Sequence, residues 1–143
     1  MVALALATPE NLDARLLRFR SDPGGEDAVA LAHALLEAKR PREAGEVAKR
    51  HLQDAPDHAE ALLYLGRAWM DQGDLLRAQK TLLQAARADA RSPAPYRWLG
   101  EVLLRRGDPE RAARVLDKAA SLGGPDPAVE RLASRAARLA RVA

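Results

Sequence analysis

The sequence predicts an all-α fold, a superhelix of stacked helical hairpins. Composition is the first observation: of 143 residues, 31 are Ala, 23 Leu and 19 Arg, all strong helix formers. Only five are aromatic, and β-branched residues are scarce, so strands have little to build on. The second observation is an internal repeat at an offset of 34. Leu65, Gly66, Gly73, Asp74, Arg77, Ala78, Leu82 and Ala85 fall on Leu99, Gly100, Gly107, Asp108, Arg111, Ala112, Leu116 and Ala119. One further step back, Leu31, Ala32 and Ala44 meet Leu65, Gly66 and Ala78. The third is apolar spacing of three and four residues within each repeat, the period of a helix face.

The elements follow in order. Met1 to Ala7 is an apolar run too short, and too lacking in positive charge, for a signal peptide. It reads as a frayed cap or a cloning remnant. Thr8-Pro9-Glu10 is a helix-start signal, with Thr8 as cap, and Leu12, Leu16, Leu17 and Phe19 give an apolar side over 9–20. Ser21 to Gly25 ends this helix. Repeat one carries Ala28, Leu31, Ala32 and Leu35, a break at Lys39-Arg40-Pro41, then Ala44, Ala48 and His51. Repeat two has Leu62, Leu65, Gly66 and Trp69 on one face. Gly73 supplies a left-handed turn and Asp74 a cap, before Ala78, Leu82 and Ala85. Repeat three copies it with Tyr96, Leu99, Gly100 and Leu103, then Gly107-Asp108-Pro109, then Ala112, Leu116 and Ala119. Gly123-Gly124 stops that helix. Asp126-Pro127 starts an eighth, with Val129, Leu132, Ala133, Ala136 and Ala140 as its apolar side.

Gly66, Gly100, Ala78 and Ala112 let paired helices approach, and Trp69 and Leu82 fill the space beside them. One hairpin cannot bury its own apolar stripe, so neighbours share a core and the ends need caps.

This pattern resembles the tetratricopeptide repeat (TPR) family, whose unit places Leu-Gly, large apolar and small residues at these steps. The residues that carry it are Leu62, Leu65-Gly66, Trp69, Ala78, Leu82 and Ala85, and Tyr96, Leu99-Gly100, Leu103, Ala112, Leu116 and Ala119. Departures are Ala90 where a closing Pro belongs and Ala32 where Gly belongs. The expected organisation is a capping helix in 1–24, repeats at 25–58, 59–92 and 93–126, and a closing helix in 127–143.

Several function classes find no support. With no Cys, disulfides and thiolate chemistry are out. His33, His51 and His58 show no zinc-site spacing, and no phosphate loop or strand–turn–helix nucleophile occurs. No catalysis, metal or cofactor is expected. His51 reads as a packed imidazole; His33 faces the expected groove, as ligand contact or plain surface. No apolar run reaches the roughly 20 residues of a membrane span. The expected location is the cytoplasm, with the periplasm left open. Ala and Arg richness is compatible with a high-GC bacterial genome.

The resemblance implies a concave side, lined by the first helix of each pair, that takes peptide segments. In this register repeat one offers Glu26, Val29, His33, Leu36 and Glu37. Repeat two offers Glu60, Leu63, Tyr64, Arg67, Met70 and Asp71. Repeat three offers Ala94, Arg97, Trp98, Glu101, Leu104 and Arg105, and the closing helix Arg131, Arg135 and Arg138. Leu63, Met70, Leu104 and Trp98 are the expected apolar anchors, whereas Trp69 and Tyr96 read as core. Charge divides by region: residues 1–90 carry 12 Lys+Arg and 14 Asp+Glu, and residues 91–143 carry 11 and 6. The expected partner is therefore a protein segment with apolar anchors and an acidic stretch against the C-terminal arginines. The alternative for those arginines is a solvated helix face.

Within this family, members that clamp Hsp70 or Hsp90 tails use Lys and Asn at places held here by Val29, His33, Tyr64, Ala94 and Trp98. No such carboxylate clamp is expected. The leading function is a non-catalytic adaptor or scaffold, and the alternative a small chaperone of a secretion or pilus-assembly system. Nucleic-acid binding through the basic third ranks below both, because the acidic remainder would repel phosphates and stacking aromatics are few. The closing helix also offers a face for a second copy of the chain.

Overall fold

The computed structural model describes residues 9–25 and 27–142. Thr8, the expected cap, Glu26, an expected groove residue, and the apolar start lie outside the described residues. Among those described there are eight helices and no strand. They are α1 (Pro9–Ser21), α2 (Ala28–Glu37), α3 (Pro41–Asp54), α4 (Ala59–Asp71), α5 (Leu75–Ala88), α6 (Ala94–Arg105), α7 (Pro109–Gly123) and α8 (Pro127–Val142).

Each start and stop has a local cause. Asp27, Asp74 and Asp108 accept hydrogen bonds from the backbone N–H three residues on, at 3.1 Å in each case. His58 does the same for α4, its Nδ1 accepting from the Ala61 N–H at 3.3 Å. Prolines sit in the first turns of α3, α6 and α7, where a missing N–H costs nothing. The three intra-hairpin turns are copies. The N–H groups of Arg40, Asp74 and Asp108 reach back to the carbonyls of Leu35, Trp69 and Leu103 at 2.8, 2.9 and 2.9 Å. This closure needs a left-handed residue, supplied by Lys39 (φ 62°), Gly73 (φ 83°) and Gly107 (φ 79°).

Hairpins α2–α3, α4–α5 and α6–α7 stack in chain order, and each second helix also packs on the first helix that follows. The first helices touch one another, α2 to α4, α4 to α6 and α6 to α8, whereas the second helices make no comparable contact. The stack therefore curves toward the first-helix side, which becomes the inner wall. By register α8 is the first helix of a fourth unit, with Pro127 where Pro93 stands and Arg131 where Arg97 stands.

Close approach within the hairpins rests on paired positions. A Cβ built on Gly66 would lie 2.7 Å from Leu82 Cγ and Cδ2; one on Gly100 would lie 2.5 Å from the same atoms of Leu116. Leu82 and Leu116 are wholly buried. The core runs as two clusters meeting at α4. One gathers Leu16, Phe19, Leu31, Leu35, Leu36 and Val47; the other gathers Met70, Leu82, Leu99, Leu103, Leu116 and Val129 among others. At the N-terminal end α1 buries Leu16 and Phe19 and is tied by ion pairs. Arg20 makes a two-pronged contact with Glu46 of α3, both bonds 2.7 Å, and Arg40 reaches Asp13 at 2.6 Å.

Candidate functional site

The inner wall carries a continuous row of rings and cations. His33 of α2 stacks on Tyr64 of α4, centroids 5.2 Å apart and planes 26° from parallel. One turn along α4, the Arg67 guanidinium lies 5.9 Å from the Tyr64 ring and 4.4 Å from the Trp98 ring of α6. Arg97 lies 4.7 Å from the same Trp98 centroid. Three successive first helices thus contribute to one band. Helix periodicity makes it possible: residues three and four apart share a face, and the 34-residue repeat brings equivalent positions side by side.

The charges in this band are poorly matched. Arg67 meets Glu37 at 3.5 Å, and His33 meets the same carboxylate at 3.5 Å. Arg67 is 15% exposed at its side chain, while Glu37 remains mostly in solvent at 62%. The Nε atoms of Arg67 and Arg97 are both out of solvent with no hydrogen-bond acceptor. Stacking on rings stabilises a guanidinium face but leaves its edge donors wanting partners. Burial, followed by the charge of Glu60, raises the Tyr64 phenol above its ordinary range; Arg67 opposes this and Glu37 adds to it. Glu101 and Arg105 form an i,i+4 pair at 3.3 Å at the far side of the band.

The other expected groove residues divide into two groups. Val29 and Leu63 are half-buried and Glu60 is exposed. Arg131, Arg135 and Arg138 are exposed, and together line an open depression along α8. Leu36, Met70 and Leu104 do not belong to the groove: they are 2%, 2% and 7% exposed and lie in the core. These three are one position of the repeat, each 34 residues from the next. That position is covered because each first helix packs against the next first helix. Its fourth copy is Arg138, exposed and charged on the helix where the stack of described helices ends. The expected anchors therefore reduce to Leu63 and Trp98, and Trp98 has cations of this chain on its ring.

Sequence reasoning missed two clusters on the other sides of the hairpins. Trp69 is packed as expected, but its ring also faces two cations, Lys49 Nζ at 4.3 Å and Arg77 at 4.9 Å. His51 is half-buried rather than fully packed, edge-on to His58 with centroids 4.9 Å apart. Pairings across a hairpin depend on helix rotation, which spacing alone does not fix. Among the described residues no three His, Asp or Glu converge as metal ligands, and no helix is long and apolar enough to cross a membrane.

A curved stack of in-register helical hairpins with a side-chain-lined inner wall defines a helical-repeat solenoid. Two profiles of the tetratricopeptide repeat match, at residues 35–97 and 70–127, together spanning most of the chain. The chain belongs to the tetratricopeptide repeat family. No curated protein matches it significantly. Among solved structures it is similar to the first TPR domain of human RPAP3, with 10% identity and a TM-score of 0.77, covering 80% of this chain and 91% of that one. It is also similar to the first TPR of Spaghetti (RPAP3) bound to the HSP90 peptide SRMEEVD, with 10% identity, a TM-score of 0.75, and 81% and 91% covered. A third is the Yersinia enterocolitica type III secretion chaperone SycD in complex with a peptide of the translocator YopD. There the identity is 20%, the TM-score 0.67, and 80% and 88% are covered. At such identities the likeness is one of fold.

Proposed function

We propose that this protein is a non-catalytic interaction module that holds a segment of a partner protein along its inner wall. The observation that carries the reading is the band from His33 through Tyr64, Arg67 and Trp98 to Arg97, contributed by three helices in register. Partly exposed Tyr, Trp and Arg on a concave wall offer large contact area at low entropic cost, the composition of binding hot spots. Two similar structures have peptides bound, from HSP90 and from YopD respectively. The partner segment of this reading pairs apolar anchors with an acidic stretch that meets Arg105, Arg131, Arg135 and Arg138. A Hsp70 or Hsp90 tail is not that segment, because Val29, His33, Tyr64, Ala94 and Trp98 stand where a terminal-carboxylate clamp needs Lys and Asn.

The likeness to a type III secretion chaperone favours a second reading, a small chaperone of a secretion or pilus-assembly system. The two readings share one groove and differ in the partner's fate. A photo-activated cross-linking residue at His33 or Arg105 tests the groove directly, with exposed Arg42 and Arg87 of the second helices as controls. Sequencing the cross-linked peptide should return one partner segment from the groove positions alone. Equal yields from Arg42 and Arg87 would move binding to the outer face.

A further inference from the structure

We infer that Trp98, with Arg67 and Arg97 on its ring, is a preorganised receptor for a side-chain carboxylate of an acidic partner segment. This rests on the groove reading above and names the chemistry at its centre. Two guanidinium groups lie 4.4 and 4.7 Å from one indole centroid, so two like charges are held beside one ring. Neither is well compensated. Arg67 has a single long contact to a solvated Glu37, and Arg97 has no acidic partner among the described residues. Both Nε donors are buried without an acceptor. A carboxylate accepting from the Nη groups of both arginines would offset the repulsion between two cations whose Nε donors have no acceptor of this chain, in the multidentate geometry that favours Arg over Lys. Rings on the guanidinium faces have already removed water there, so little ordering remains to be done on binding.

The site is proposed for the Asp or Glu side chains of a segment that runs on along the wall, and it uses none of the places of a terminal-carboxylate clamp. The formal charge of the surroundings agrees: residues 91–143 carry 11 Lys+Arg against 6 Asp+Glu. An acidic run crossing Trp98 would continue onto Arg131 and Arg135 of α8.

The test uses the Trp69→Phe variant, in which Trp98 is the only indole. The probe is acetylated, C-terminally amidated hexaglutamate, with hexaglutamine as control. Hexaglutamate should shift Trp98 emission saturably and hexaglutamine should not, and the affinity should fall as salt rises. Arg67→Gln and Arg97→Gln should each weaken binding roughly tenfold or more, with Arg67→Lys between them and the parent. Calorimetric titration of the unsubstituted chain gives the same comparison without the indole, and circular dichroism confirms that each variant folds. The inference is overturned by no saturable binding, by binding unchanged in both Gln variants, or by loss only in Arg131→Gln/Arg135→Gln. An equal response to inorganic phosphate would also overturn it. If the His33 and Arg105 cross-links persist in the Arg67→Gln/Arg97→Gln protein, the groove stands and the receptor alone fails.

Discussion

Repeat one and the two repeats that follow solve the same packing problem with different residues. In repeats two and three a glycine on the first helix receives a leucine from the second, Gly66 with Leu82 and Gly100 with Leu116. At the same places repeat one has Ala32 and Ala48, both about 1% exposed. The departure at Ala32 is thus half of a paired exchange. A methyl added on one helix comes with a side chain shortened on the other, so the close approach is kept without the clash that Ala against Leu would bring. The turns show the same split: Lys39 stands in the left-handed position that Gly73 and Gly107 occupy. The ends differ too. α1 joins the stack through two buried apolar residues and charged pairs, while α8 continues the repeat register and buries Val129 and Ala136.

The sharpest test of the pairing is to empty it. Leu82→Ala and Leu116→Ala each remove a fully buried side chain from a tight hairpin, and each should cost about 3 kcal/mol. Denaturant unfolding measures it. Gly100→Ala comes next. Its new Cβ meets Leu116 Cγ as well as Cδ2 at 2.5 Å, so the whole leucine must move, at about 1–3 kcal/mol despite alanine's better helix propensity. Combining Gly66→Ala with Leu82→Ala recreates the repeat-one solution. In that background the glycine substitution should become nearly neutral, a coupling above roughly 1 kcal/mol in the double-mutant cycle. Simple additivity would show that the pairing is coincidental.

A smaller effect of opposite sign is expected at Lys39. A non-glycine residue held at φ 62° carries strain of about 1 kcal/mol. Lys39→Gly should therefore stabilise repeat one by roughly 0.5 kcal/mol after the loss from a more flexible unfolded chain. Gly107→Ala should destabilise repeat three by about 1 kcal/mol. Hydrogen exchange across each turn separates the two repeats.

Much of the fold was legible in the sequence because its cause is repetition. Helix faces, turn glycines and capping aspartates are local, and the 34-residue offset fixes which of them recur. The site was legible only in part. Spacing assigns a face to each residue but not the depth to which the next helix covers it. So Leu36, Met70 and Leu104, apolar at the edge of the face, read as anchors and are core. The contact of Arg67 with Trp98 joins separate repeats, and no local pattern announces it. The signal that could have found the core position was its fourth copy, Arg138. The place turns polar where no further first helix among those described covers it.

The smallest expected effect concerns how the N-terminal helix is attached. The bond from Arg20 holds the Glu46 carboxyl below its ordinary range, against a weaker opposing effect of burial. A carboxylate whose folded-state pKa is depressed contributes stability above its unfolded value and loses it as pH falls through the folded one. The contribution of this pair should therefore be complete at neutral pH and fade from about pH 4.5 downward. Both side chains are more than two-fifths exposed, so the effect is modest and screened by salt. Glu46→Gln should loosen α1 at pH 7, seen as faster amide exchange over Leu12 to Phe19. Parent and variant should converge once the pH has fallen below the depressed folded-state pKa of Glu46, while exchange at α8 stays the same in both. A difference that stays constant as the pH is lowered all the way from neutral to the acid limit would mean that α1 is held by Leu16 and Phe19 in a way that the substitution itself disturbs, and not by the charge.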